Sequence, residues 1–173
     1  MNDTTKHSRT ALEAAYTYLG SRMRTVEEVR RHLESKEYSE DEITDAVNEL
    51  IGMRYLDDYL YALRYYEHNR EKKRGSQRAE RELAERGVDR ETIRNAREDF
   101  IHENQVDEYS EALSIARAEV YRPSDVYGEA PVLREIDDRL TAKIARKLES
   151  KGFSRSVLYR VLDEIRRLKD NEK

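Results

Sequence analysis

The sequence predicts an all-α protein, an elongated tandem array of three three-helix units of the helix-turn-helix kind. Three observations predict it. Helix formers dominate, with Glu, Arg, Ala and Leu abundant against six glycines and two prolines in 173 residues. Charged residues make up 40% of the chain and hydrophobic residues 37%, so the apolar side chains must be gathered on narrow helical stripes. The third observation is a repeat: Leu33, Tyr38, Ile43, Ala46 and Leu50 correspond to Leu83, Val88, Ile93, Ala96 and Phe100, and again to Leu148, Phe153, Leu158, Val161 and Ile165. A unit of this size cannot bury its apolar face alone, and stacking copies solves that.

Residues 1–10 are polar and aperiodic and read as a loose tail. The first repeat spans 11–53. Ala11, Leu12, Ala15, Tyr18 and Leu19 make one helical face that runs to Gly20. Thr25 followed by Glu28 forms a capping box for a second helix with Val26, Val29 and Leu33 inward, and Ser39 with Glu42 boxes a third that buries Ile43, Ala46, Val47 and Leu50. The second repeat spans 54–106 and the third 107–169. Asp89 and Ser154 occupy the capping place of Ser39, while Glu37, Gly87 and Gly152 share the turn before it. A stretch at about 121–136 interrupts the third repeat. It holds Pro123, Gly128 and Pro131 and reads as a loop or linker with the makings of a hinge.

Charge is unevenly spread under a net −4. Residues 25–53 carry three basic and nine acidic side chains, hence −6, whereas 138–169 carry ten basic and four acidic, hence +6. No apolar run is long enough for a membrane span and the N-terminus has no apolar signal core, so a cytoplasmic protein is expected. There are no cysteines to form disulfides or a cysteine zinc site. His7, His32, His68 and His102 lack metal-ligand spacing, and no phosphate-binding loop, G-x-S-x-G elbow or dinucleotide fingerprint occurs. Neither catalysis nor a cofactor or metal is expected.

Four features invite a functional reading, each against a plainer one. The pair Asp57-Asp58 offers two carboxylates for a metal or for acid and base roles, but Asp107-Glu108 and Asp137-Asp138 stand at the same kind of place, and an acid recurring at helix starts reads as a cap. Tyr55, Tyr59, Tyr61, Tyr65 and Tyr66 suggest base stacking, whereas Tyr55, Tyr59, Leu63 and Tyr66 fall at helical spacing and read as a packed stripe. The run 70–78 contributes Arg70, Lys72, Lys73, Arg74 and Arg78, either a solvated helix end or a patch for phosphates or an acidic partner. In the third repeat Leu140, Ile144 and Leu148 form the buried stripe, and Arg139, Lys143, Arg146 and Lys147 recur on another face; Lys151, Arg155 and Arg160 extend it. That face reads as a binding surface, and the acidic first repeat as a solvated one.

The residues Tyr55-Leu56-Asp57-Asp58 leading into Tyr61-Ala62, the basic run Arg70 to Arg74 with Gly75, and Glu82-Leu83 through Arg86-Gly87-Val88 together resemble the RecX family of bacterial recombination regulators. The likeness covers roughly 11–169 and is strongest over 54–100. It implies a curved helical protein that binds the RecA recombinase and its filament on DNA and modulates, usually inhibits, ATP hydrolysis and strand exchange. Arg70, Lys72, Lys73, Arg74 and Arg78, with Arg139, Lys143, Arg146, Lys147 and Arg155, become the residues expected to dock on recombinase or on single- or double-stranded DNA phosphates, the protein acting as a monomer. The chain departs from the family pattern at Lys73-Arg74-Gly75, where a Lys-Pro pair is common, in its longer 121–136 insertion, and in its net acidity. Two other classes compete: a helical DNA-binding transcription factor, which needs base-reading side chains at the start of a third helix, and a helical protein-interaction scaffold.

Overall fold

The computed structural model describes residues 9–20, 22–124, 127–128 and 130–170. Most of the expected tail, including His7, lies outside them, as do residues 125, 126 and 129 of the insertion. Among the described residues there are nine α-helices in three successive sets of three: α1 (Ala11–Leu19), α2 (Val26–Glu34), α3 (Glu40–Gly52), α4 (Asp58–Glu71), α5 (Ser76–Glu85), α6 (Arg90–Asn104), α7 (Glu108–Val120), α8 (Asp138–Lys151) and α9 (Arg155–Asp170). None of these helices is long and apolar enough to cross a membrane.

Local chemistry explains the helix starts. Thr10, Thr25 and Ser39 each accept from the backbone N–H three residues on, and Glu13, Glu28 and Glu42 return a carboxylate to the cap N–H, giving three capping boxes. Asp89, Asp107, Asp137 and Ser154 cap α6, α7, α8 and α9 in the simpler one-way manner. The turn before each third helix is left-handed in every set, with φ of 64° at Glu37, 83° at Gly87 and 82° at Gly152.

The chain divides into two compact units, Met1–Tyr65 with Glu82–Glu98, and Tyr66–Arg81 with Asp99–Lys173. The core of the first holds Val29, Leu33, Ile43, Val47, Leu50 and Leu56, all buried, with Ala11 and Ala15 packed from α1. The core of the second is built from Ala112, Ile115, Ala116 and Val120 of α7, Ile144 and Leu148 of α8, and Val157, Val161, Leu162 and Ile165 of α9. Every repeated core position is buried except Leu158, which is half-buried while its neighbour Val157 is buried.

Two expectations are corrected. The aromatic stripe of α4 is only partly Tyr55, Tyr59, Leu63 and Tyr66: Tyr66 is buried and Leu63 half-buried, but Tyr55 is 60% exposed and Tyr59 37%, and the buried residues are Tyr61, Ala62, Tyr66 and Asn69. Tyr55 precedes the helix, in a turn where Arg54 has φ 59°, so helical spacing does not reach it. Within α4 the inward face includes Asp58, whose carboxylate accepts from the Val26 N–H at 2.9 Å; Asp58, Tyr61, Ala62, Tyr66 and Asn69 share one face at helical spacing. The insertion is likewise not a plain loop. Tyr121 pairs antiparallel with Leu133 and Arg122 with Val132 in a two-residue ladder, strands β1 (Tyr121–Arg122) and β2 (Val132–Leu133). The Arg134 N–H donates to the Val120 carbonyl at 2.8 Å, and Ile136 is buried in the core of the second unit. Pairing and burial tie both ends of the stretch down.

Candidate functional site

The acid pairs divide their labour the same way twice. Asp57 accepts from the Leu60 N–H at 2.8 Å and so caps its own helix, while Asp58 caps α2 through Val26. Asp107 accepts from the Tyr109 N–H at 3.0 Å, and Glu108 accepts from the Ser76 N–H at 2.6 Å, at the start of α5. One acid starts its own helix and the next closes the N-terminus of a helix thirty-two residues upstream in both cases. Burial raises the Asp58 carboxyl above the ordinary aspartate value, with the Val26 N–H opposing it. The carboxylates are joints of the repeat.

The basic residues fall into two clusters within the second unit. In the first, the turn between α4 and α5 meets the turn between α8 and α9. The Gly75 N–H donates to the Lys151 carbonyl at 3.0 Å, the Lys151 ammonium to the Lys73 carbonyl at 3.2 Å, and the Arg78 guanidinium to the Ser150 carbonyl at 3.2 Å. A Cβ on Gly75 would collide with the backbone of Gly152 and Phe153, so this close approach requires glycine. Lys73, Arg74, Arg78 and Lys151 thus gather at one place, and Lys151 is held below the usual lysine range, by burial first and then by Lys147, Arg74, Lys73 and Arg78. Lys151 joins the cluster, although by sequence it only extends the basic face of α8. Its link to the 70–78 run spans more than seventy residues, and the fifty- and sixty-five-residue spacings of the repeat were the signal that could have found it.

The second cluster lines a cavity of about 360 Å³ formed by Arg134, Glu135, Asp137, Arg139, Leu140, Lys143 and Arg146. It brings together three of the expected residues of α8 and adds Arg134 from the insertion. Glu119 of α7 takes up part of this charge: it pairs with Lys143 at 2.8 Å and with Lys147, and the two ammonium groups hold its carboxyl well below the usual range, at about 2. Of the remaining expected residues, Arg70 pairs with Glu111 at 3.1 Å across a mixed-charge cavity, and Lys72 and Arg155 are exposed. Among the described residues no carboxylate pairs with Lys72, Lys73, Arg74, Arg139, Arg146, Lys151 or Arg155. Six cations of the expected set and Lys151 are therefore available to an external anion.

A family model described as RecX, first three-helix domain, matches residues 11–50. The regulatory protein RecX of Leuconostoc mesenteroides is 29% identical over 163 residues, 94% of this chain and 57% of that protein. That of Bacillus subtilis is 30% identical over 152 residues, 87% of this chain and 53% of that protein. Over most of its own length the chain is similar to RecX regulatory proteins. It spans about half the length of the curated RecX proteins it matches. The crystal structure of RecX from Lactobacillus salivarius shares the fold, with a TM-score of 0.68 and 23% identity over 89% of this chain and 93% of that one. The RecX architecture of three-helix sets accounts for the paired joints, and the two basic clusters sit on its later sets.

Proposed function

We propose that this RecX-like chain is a non-catalytic regulator that binds the RecA recombinase and its filament on DNA and inhibits ATP hydrolysis and strand exchange, acting as a monomer in the cytoplasm. The observation that carries the reading is the pair of basic clusters on an otherwise acidic protein: Lys73, Arg74, Arg78 and Lys151 at one place, Arg134, Arg139, Lys143 and Arg146 at the other. Each cluster alone makes weak electrostatic contacts. Two on one body act at high effective concentration, so filament binding is strong only when both engage. Inhibition follows from occupancy: a protein held at two points on the filament impedes subunit exchange and nucleotide turnover without any chemistry of its own. Contacts to DNA phosphates, where they occur, add affinity that falls steeply with salt.

Co-sedimentation with recombinase filaments on single-stranded DNA tests this. The wild-type chain is expected to pellet with filaments at low salt. Arg139→Glu, Lys143→Glu and Arg146→Glu combined are expected to weaken binding about tenfold or more and to flatten its salt dependence. Binding unchanged in that variant removes the α8 face from the site, and no pelleting of the wild-type chain at any salt refutes the reading.

A further inference from the structure

The repeat places the same joint at two positions in the chain and reverses the charge at one of its places, Glu28 in the first and Arg78 in the second. In the first unit the end of α5 meets the start of α2: the Thr25 hydroxyl donates to the Arg86 carbonyl at 2.7 Å, and the Arg86 guanidinium donates to the Glu28 carboxylate at 2.8 Å. In the second unit the end of α8 meets the start of α5. By the repeat spacings Gly75 stands for Thr25, Lys151 for Arg86, Gly152 for Gly87 and Arg78 for Glu28. The geometry is retained. The Gly75 N–H donates to the Lys151 carbonyl, and a Cβ on Gly152 would strike Arg78 as one on Gly87 would strike Glu27.

Of the joint's two acids one is retained, Glu108 standing for Asp58 on the N-terminus of the joint's helix, α5 in the second and α2 in the first, and the other is reversed. Where the first joint is closed by an acid-base pair, the second brings Arg78 beside Lys151, and Lys73 and Arg74 crowd the same place. Among the described residues no carboxylate pairs with Lys73, Arg74 or Lys151. The Lys151 ammonium has three donors and donates one to the Lys73 carbonyl. The same turn buries the Asn69 side-chain amide, 2% exposed, and the Ser76 hydroxyl, neither with a hydrogen-bond partner among the described residues. Lys73, Arg74 and Lys151, converging with no carboxylate paired to them among the described residues, together with the buried amide and hydroxyl of the same turn, form a site for an oxyanion.

We propose that the second joint binds one phosphate-class oxyanion among Lys73, Arg74, Arg78 and Lys151, and that this anion takes the electrostatic place Glu28 holds at the first joint and fastens the α4–α5 turn to the α8–α9 turn. The proposal does not depend on recombinase being the partner. The phosphate is supplied either by a nucleic-acid backbone or by a small phosphate compound.

Thermal unfolding and amide exchange of the full chain test it without any partner protein. At matched ionic strength, sodium phosphate is expected to raise the transition by roughly 2–4 °C over sodium chloride and to slow exchange in the segment 69–79. Both effects are expected to vanish in Lys151→Gln and in Arg74→Gln and to persist in Arg94→Gln, an exposed arginine outside the clusters. An effect at micromolar oligonucleotide, with inorganic phosphate needing millimolar concentrations, identifies a nucleic-acid backbone as the source; an effect with inorganic phosphate and none with the oligonucleotide identifies a small compound. No phosphate increment over chloride, or an increment that survives in Lys151→Gln and Arg74→Gln, overturns the proposal, and leaves filament binding to be judged by its own experiment.

Discussion

Glu119 shows how one residue decides which cations are available. Its side chain is 14% exposed and clamps Lys143 and Lys147, themselves 57% and 41% exposed. Its folded carboxyl titrates at about 2 instead of 4.5, so between those values the unfolded chain binds the proton and the folded chain does not. The resulting stabilisation is complete above about pH 4.5 and is lost as pH falls toward 2. Because both lysines are half in water, Glu119→Gln is expected to cost only about 1 kcal/mol at pH 7, and the gap from wild type should narrow in urea titrations at pH 3. The same substitution frees two ammonium groups and should tighten filament binding. Thr25 is a purely structural counterpart. It is fully buried, caps α2 and donates to the Arg86 carbonyl, so Thr25→Ala should cost roughly 1–3 kcal/mol and Thr25→Ser much less, read from denaturant midpoints.

Among the elements, the turns before the third helices follow one rule with one exception. Gly87 and Gly152 adopt positive φ without penalty, whereas Glu37 holds φ 64° with a full side chain. Glu37→Gly should therefore raise stability by roughly 0.5–1 kcal/mol, the relieved strain exceeding the added freedom of the unfolded chain, seen as a higher urea midpoint at unchanged slope. Such turns, and the caps at Thr25, Ser39, Asp89 and Ser154, were legible in the sequence because they obey rules confined to four or five residues. The rotation of α4 was not. It is fixed by the reach of Asp58 to Val26, thirty-two residues away, and local spacing pointed at Tyr55 and Tyr59 instead. The ladder at Tyr121–Arg122 and Val132–Leu133 was equally hidden, since two-residue strands have no period to detect.

For the whole molecule, the repeat proved the most informative feature of the sequence. It carried the three-by-three helix architecture, and it also explains why two basic stretches more than seventy residues apart meet at Gly75 and Lys151. What sequence could not supply was the pairing of charges: it set Lys143 and Lys147 beside Arg139 and Arg146 as equals, and α7 supplies Glu119 to the first two. The basic clusters matter to the proposed regulation only if they act on a recombinase filament. The most direct measurement is the steady-state ATP hydrolysis of RecA on single-stranded DNA with substoichiometric amounts of this chain added. Turnover is expected to fall, with inhibition weakened by reversing Arg139, Lys143 and Arg146; turnover unchanged by the wild-type chain would contradict the proposed regulation.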